Sequence, residues 1–339
     1  MNKVLVSALE PSANLHLSEI LKREKFDIFG IFDERFGKPV VSSNEFSVMG
    51  FLDVLPKIKK AKEAIEILSD MAKEADKVLL IDAPSFNLRL AKRIKEKHPQ
   101  KEIIYYILPK VWAWKKGRIK QVNKYVDKKA YIFPFEKEYW AEGIYVGNPL
   151  LDEITEFRDD KLKGNVAFLP GSRKSEIKSL MPVFRELVKR IDKKAILSVP
   201  LIYKDKISEI YGDVSDFEIV FDAKKALLES DFAYICSGTA TLEAAIIGTP
   251  FVLMYKARKI EYLIAKALVK LKYVGLANII FEKEGLGEFH KEYLQDFNIK
   301  MLLNDQKNAD LQDFRKKAQK LRKLLKHGSA ENVIKLLKS

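Results

Sequence analysis

Short apolar runs alternate with amphipathic stretches along almost the whole chain. KVLVSAL (3–9), FDIFGIF (26–32), KVLLID (77–82), EIIYYI (102–107), AYIF (130–133) and IYV (144–146) carry few polar breaks, which predicts strands buried on both faces. Between them, NLHLSEILKRE (14–24) and SFNLRLAKRIKEK (85–97) space their apolar residues as helices do. Such alternation implies a mostly parallel sheet. After GNPLLDEITEFRDDKLKG (147–164), which is polar and has no strand pattern, it starts afresh with NVAFLP (165–170), KAILSVP (194–200), FEIVF (217–221), FAYIC (232–236) and FVLMY (251–255). The expected fold is therefore α/β, with two Rossmann-like domains over 1–150 and 151–309 and a basic helical tail over 310–339. The carboxyl ends of both sheets are expected to face a central cleft, where ligands of such sheets bind.

The length of 339 residues suits two domains, each with a sizeable core. A net charge of +14 is less ordinary, and the excess is local. Residues 110–129 hold eight basic side chains against Asp127, and 254–274 hold six against Glu261. Solvated helix faces explain such patches, but so do nucleic acid, anionic lipid or a phosphorylated substrate. No RNA-binding or zinc-finger spacing accompanies them, so nucleic acid is not the expected partner.

A single cysteine, Cys236, excludes an internal disulfide and a cysteine-based metal cluster, which suits a reducing compartment. It reads as a small apolar residue. The first apolar stretch meets Glu10 too soon for a signal-peptide core, and the longest uncharged run, Ala244–Tyr255, is too short to span a bilayer. A cytoplasmic protein, resting peripherally on a membrane, is expected.

Four polar clusters follow directly after strands. In LEPSANLH (9–16), Glu10 comes just after the first strand and Ser12 is placed to cap a helix starting near Ala13. In IDAPSFN (81–87), Asp82 ends an apolar strand, a setting where burial brings carboxylate basicity closer to that of a reacting hydroxyl. The plain alternative for both acids is a turn or capping role. In FLPGSRKSEI (168–177), Gly171 permits a tight turn, Ser172 is placed as the cap and Arg173 as the first helical residue. Free amides, dipole and guanidinium together attract an anion. Neither GxGxxG nor GKS/GKT is present, so a dinucleotide or Walker-type site is not indicated; a diphosphate is the expected anion, and a plain N-cap is the alternative. In CSGTATLEAAIIGTP (236–250), Ser237, Gly238, Thr239 and Ala240 form the turn, and Glu243 lies about one helical turn on, suited to the vicinal hydroxyls of a ribose.

These four clusters, with FSVMGFLDVLP (46–56), LPKVWAWKKGRIK (108–120), FPFEKEYW (133–140), YVGNPLLD (145–152), KYVGLANI (272–279) and KEYLQ (291–295), resemble the lipid-A-disaccharide synthase family in content and order. The resemblance implies an inverting glycosyltransferase of the two-Rossmann GT-B type. It implies transfer of 2,3-diacylglucosamine from UDP to the 6-hydroxyl of 2,3-diacylglucosamine 1-phosphate (lipid X), giving a β-1,6 disaccharide and UDP. It further implies functional roles for Glu10 and Asp82, a nucleotide-side role for Arg173, and positions lining the nucleotide domain for Glu243, Asn278 and Gln295. Leu9, Ala13, Asn14 and Asn148 depart from the family's usual glycine, Gly-Asp and histidine, so no catalytic role is expected at 14 or 148.

On this reading Asp82 or Glu10 takes the acceptor's proton, while Arg173 and helix amides meet the charge on departing UDP. No cofactor and no metal are expected. Both substrates carry acyl chains, so Trp112 and Trp114 with Lys115, Lys116 and Arg118 are expected to form a membrane or acceptor surface on the inner leaflet. RKIEYLIAKALVKLKY (258–273) is a second amphipathic candidate, and core or dimer contact is the plain alternative for both. A homo-oligomer stays open. The competing functions are another UDP-N-acetylglucosamine-using enzyme, either a lipid-linked transferase or an epimerase, and a basic nucleic-acid-binding protein.

Overall fold

The computed structural model describes residues 2–43, 54–256 and 271–339. The chain divides into two compact units, Met1–Glu153 with Leu325–Ser339, and Ile154–Leu324.

In the first unit the strands are β1 (Lys3–Ser7), β2 (Asp27–Phe32), β3 (Val41–Ser42), β4 (Lys77–Ile81), β5 (Ile103–Tyr106), β6 (Lys128–Tyr131) and β7 (Ile144–Tyr145). They form one sheet in the order β3-β2-β1-β4-β5-β6-β7, and every pairing is parallel. Helices α1 (Pro11–Arg23), α2 (Val54–Met71), α3 (Pro84–Lys97), α4 (Arg118–Tyr125) and α5 (Leu150–Glu153) accompany it. The apolar runs of β1 and β4 are buried almost throughout because helices cover both sheet faces.

The second unit repeats the plan. Its strands are β8 (Asn165–Leu169), β9 (Lys194–Ser198), β10 (Glu218–Val220), β11 (Phe232–Cys236), β12 (Phe251–Tyr255) and β13 (Lys291–Leu294), in the parallel order β10-β9-β8-β11-β12-β13. Its helices are α6 (Lys174–Val188), α7 (Ile207–Tyr211), α8 (Ala223–Leu228), α9 (Thr239–Ile247), α10 (Leu276–Lys283), α11 (Ile299–Lys307) and α12 (Leu311–Leu325). Stacked and edge-on rings of Phe168, Phe184, Phe217 and Tyr234 fill its core.

Both strand orders reverse direction once, between β1 and β4 and between β8 and β11. Ligands of open parallel sheets bind just outside the strand ends at such a reversal. The four clusters Glu10, Asp82, Gly171–Arg173 and Ser237–Ala240 follow β1, β4, β8 and β11, so each pair sits at its own sheet's switch point.

The separate tail over 310–339 needs correction. Helix α12 belongs to the second unit up to Leu324, while α13 (Ser329–Lys338) belongs to the first. There Ser329 bonds the Tyr106 hydroxyl at 2.7 Å and Asp152 accepts the amides of Gly328 and Ala330, both at 2.8 Å. The apolar stripe of α13 explains the docking: Val333 and Leu337 are buried. Most of the 258–273 candidate and most of 46–56 lie outside the described residues. Among the described residues no helix is long and apolar enough to cross a membrane.

Candidate active site

The turn after β4 holds two successive non-glycine residues at positive φ. Asp82 and Ala83 are both left-handed, with φ of 48° and 44°, which costs about 1–3 kcal/mol for each such residue. Buried Asn87 holds the turn, donating to the carbonyls of Ile81 (3.1 Å) and Asp82 (2.8 Å) while accepting the Ser7 hydroxyl at 2.6 Å. The Tyr105 hydroxyl also donates to the Asp82 carbonyl, at 2.7 Å. Ala83, not Asp82, is the N-cap of α3. The capping alternative for Asp82 is thus not what its carboxylate does.

Glu10 occupies the N-cap position of α1, Pro11 supplies the first helical residue, and the Glu10 carboxylate makes no cap hydrogen bond. Ser12 therefore lies inside the helix, and its expected capping role is corrected. Solvent reaches the Glu10 side chain, yet crowding by protein atoms raises its carboxyl above the ordinary value. The negative charge of Asp82 adds to the rise and Lys110 opposes it. Two carboxylates thus share one field at the switch point. Asn14 is buried and structural, donating to the carbonyls of Ala8 (2.9 Å) and Glu10 (3.0 Å).

The aromatic segment divides. Trp112 is buried, its indole N–H donating to Glu136 at 3.0 Å and its ring meeting Phe133 and Phe135 edge-on. The surface role expected for Trp112 is therefore corrected: it is core. Trp114 is exposed, with Lys115 4.3 Å and Arg118 5.5 Å from its ring centroid, and Lys116 is exposed beside it. Arg118 is half-buried and donates to the Ser85 hydroxyl at 3.1 Å.

Glu136 was not singled out from sequence, although FPFEKEYW contains it. It is buried and accepts the amides of Ile132 and Phe133, both at 3.1 Å. Burial pushes its carboxyl up to about 7, against those bonds and that of Trp112. A folded value above the unfolded one means that its stabilising contribution is complete below the unfolded pKa of 4.5 and is lost as pH rises through about 7. Denaturant midpoints are expected to fall between pH 5 and 8, and Glu136→Gln is expected to flatten that decline.

In the second unit a cavity of about 360 Å³, within the range of small-molecule sites, is lined by Ser172, Arg173, Ser237, Gly238, Thr239, Ala240 and Glu243, together with Gly171, Glu176, Ser198 and Cys236. It gathers seven of the nine residues expected on the nucleotide side. Arg173, not Ser172, is the N-cap of α6, because the Glu176 carboxylate reaches back to the Arg173 amide at 3.3 Å and so satisfies it from inside the helix. Ser172 is exposed, and its carbonyl accepts the Tyr203 hydroxyl at 2.9 Å. Gly238 is the N-cap of α9 and its carbonyl accepts the Thr241 hydroxyl at 2.7 Å. Two helix N-termini, of fifteen and nine residues, thus open on one cavity. Cys236 is buried, and burial with the Glu176 charge pushes its thiol up to about 12, so it stays neutral.

Asn278 and Gln295 are not among the cavity's lining residues. The Asn278 amide nitrogen donates to the carbonyl of His290 (2.8 Å) and to Glu292 (2.7 Å), and its oxygen accepts the amides of Phe289 (2.7 Å) and His290 (3.0 Å). All four positions of a fully buried amide are used, so its expected ligand contact is corrected to a structural role. Gln295 follows β13 in a left-handed conformation, φ 75°, its backbone N–H donating to the Tyr255 carbonyl at 2.9 Å.

Comparison with known proteins accords with this arrangement. The family described as lipid-A-disaccharide synthetase matches residues 4–337. The lipid-A-disaccharide synthase of Campylobacter jejuni is 46% identical, covering 99% of each chain, and that of Helicobacter pylori is 46% identical over 98% of this chain and 97% of its own. The crystal structure of MurG from Acinetobacter baumannii superposes with a TM-score of 0.62 at 13% identity, covering 100% of this chain and 99% of that one. A UDP-GlcNAc 2-epimerase from Methanocaldococcus jannaschii gives 0.58 at 13% identity, covering 99% and 98%. These two solved structures share the fold, while the family is carried by the closer sequences. The chain belongs to the lipid-A-disaccharide synthase family, and it is a glycosyltransferase.

Proposed function

We propose that the protein transfers 2,3-diacylglucosamine from UDP-2,3-diacylglucosamine to the 6-hydroxyl of lipid X, with inversion, releasing UDP. The observation that carries this reading is the content of the two switch points: a carboxylate pair in one unit, and in the other a cavity where two helix N-termini and Arg173 meet. The acceptor oxygen attacks the anomeric carbon as the bond to the UDP oxygen breaks. Asp82, just after β4, takes the hydroxyl proton as general base, with the Glu10 carboxylate at the same switch point. Charge on the leaving diphosphate is met by Arg173 and by amides at the starts of α6 and α9. Glu243, half-buried on the cavity wall, faces the ribose hydroxyls.

Trp114, Lys115 and Lys116 present an amphipathic ring between cations, a combination that favours the anionic inner leaflet where both lipid substrates reside. The substrate class is tested by UDP release from purified protein. Release is expected from UDP-2,3-diacylglucosamine only when lipid X is added, and none from UDP-N-acetylglucosamine. Equal turnover of the unacylated donor would move the protein to another class of UDP-sugar enzyme.

A further inference from the structure

The cavity proposed for UDP contains a group that its ligand does not call for. Glu176 lies in the first turn of α6 on the cavity wall, with its side chain 7% exposed. Its negative charge competes for the same helix N-terminus that a phosphate would use. Both of its oxygens are spent on one residue: Oε1 accepts the Arg173 guanidinium at 2.8 Å and Oε2 accepts the Arg173 backbone amide at 3.3 Å. Arg173 is otherwise a surface side chain, 79% exposed, and a long side chain so exposed samples many rotamers.

The loop before the helix is shaped around this carboxylate. Gly171 is left-handed at φ 95°, and a Cβ there would stand 2.5 Å from Glu176 Oε2 and 3.2 Å from its Cβ, with Cys236 Cβ at 3.3 Å on the other side. Any side chain at 171 would displace the Glu176 carboxylate or open the loop. Glycine is thus required here for close approach as well as for its backbone angle.

We infer that Glu176 is a positioning residue, which fixes the Arg173 guanidinium at the cavity mouth in the orientation that receives a diphosphate, with Gly171 as the gap that admits it. An arginine has five N–H donors in a rigid fork. With one committed to Glu176, the others remain for phosphate oxygens, and the rotamer is ordered before the ligand arrives. This inference rests on the cavity being the UDP site.

The sign of one substitution separates positioning from simple electrostatics. If the carboxylate acted only through its charge, Glu176→Gln would bind UDP more tightly, since a like charge is removed. Positioning gives the opposite: UDP affinity, read by titration calorimetry on the full chain, is expected to fall about tenfold, the order for weakening one charge-assisted contact. Glu176→Asp, which keeps the charge but withdraws it by one methylene, is expected to weaken binding as well. In an Arg173→Ala background, Glu176→Gln is expected to cost nothing further, because the group it orients is gone. Unchanged or tighter binding in Glu176→Gln, or a loss that persists without Arg173, would overturn the inference. UDP binding indifferent to Arg173→Ala alone would overturn the nucleotide assignment of the cavity, and this inference with it.

Discussion

Asp82→Ala is expected to lower turnover at least a hundredfold, the usual order for losing a general base, with UDP affinity unchanged. The expectation rests on separation of roles. Asp82 sits at the switch point of the first unit, where Asn87 and Tyr105 bond its carbonyl rather than its carboxylate. The side chain is half-buried and performs no capping. Two successive left-handed residues are a costly way to build a turn, and a turn made only to start α3 would not need them. Asp82→Asn is the sharper variant, since it keeps shape and removes the proton acceptor. Near-normal turnover in either variant would take the base role away from Asp82. The Glu10 partner gives a second readout: its raised carboxyl value depends in part on the Asp82 charge, so Asp82→Asn is expected to lower it, seen as an acid-side shift in the carboxyl titration by NMR.

Arg158→Met is expected to destabilise the protein by about 3–5 kcal/mol, the order for breaking a buried ion pair from one side. The Arg158 side chain is 0% exposed and that of Asp231 5%, with 2.6 Å between them. The guanidinium also donates to the carbonyls of Ser230 (2.8 Å), Asp159 (3.1 Å) and Lys161 (3.1 Å). Asp231 collects the amides of Lys163 (2.7 Å) and Gly164 (2.9 Å) and the ammonium of Lys193 (3.0 Å). This cluster ties the segment entering the second unit to the start of β11, and losing the cation leaves a buried carboxylate short of partners. Guanidinium chloride unfolding measures the loss, and Arg158→Met with Asp231→Leu is expected to recover part of it. Although burial opposes it, the combined hydrogen bonds hold the Asp231 carboxyl below the usual carboxylate range. Its stabilisation is therefore present above the unfolded value of 3.8 and lost as pH falls through the lower folded value.

The central strands were plain in the sequence because burial on both faces leaves an unbroken apolar run, and the partly buried edge strands β7 and β10 were read from short apolar runs as well. The other two edge strands were not. β3 has two residues, and β13 reads KEYL, exposed or half-buried along its length, so neither makes a run. The polar clusters were legible for the same reason as the central strands: where an apolar run stops, the next polar residue is at a carboxyl end of the sheet. What failed was the inference from residue type to exposure. A tryptophan among lysines reads as surface, yet Trp112 is held inward by its bond to Glu136. An arginine in a polar connection reads as solvated, yet Arg158 is among the most buried side chains of the second unit. Asn278, placed on the nucleotide side by resemblance, is consumed by backbone and side-chain bonds that no local pattern announces. Glu176 gives no such signal either: the capping-box spacing is counted from a Ser or Thr cap, and Glu176 stands four residues after Ser172, because the cap in the structure is Arg173.

Transfer itself is the most direct test. Purified protein given UDP-2,3-diacylglucosamine and lipid X is expected to yield one UDP for each disaccharide 1-phosphate, with the new linkage identified by NMR as β-1,6. Hydrolysis of the donor without a disaccharide, or a disaccharide with retained anomeric configuration, would contradict the account.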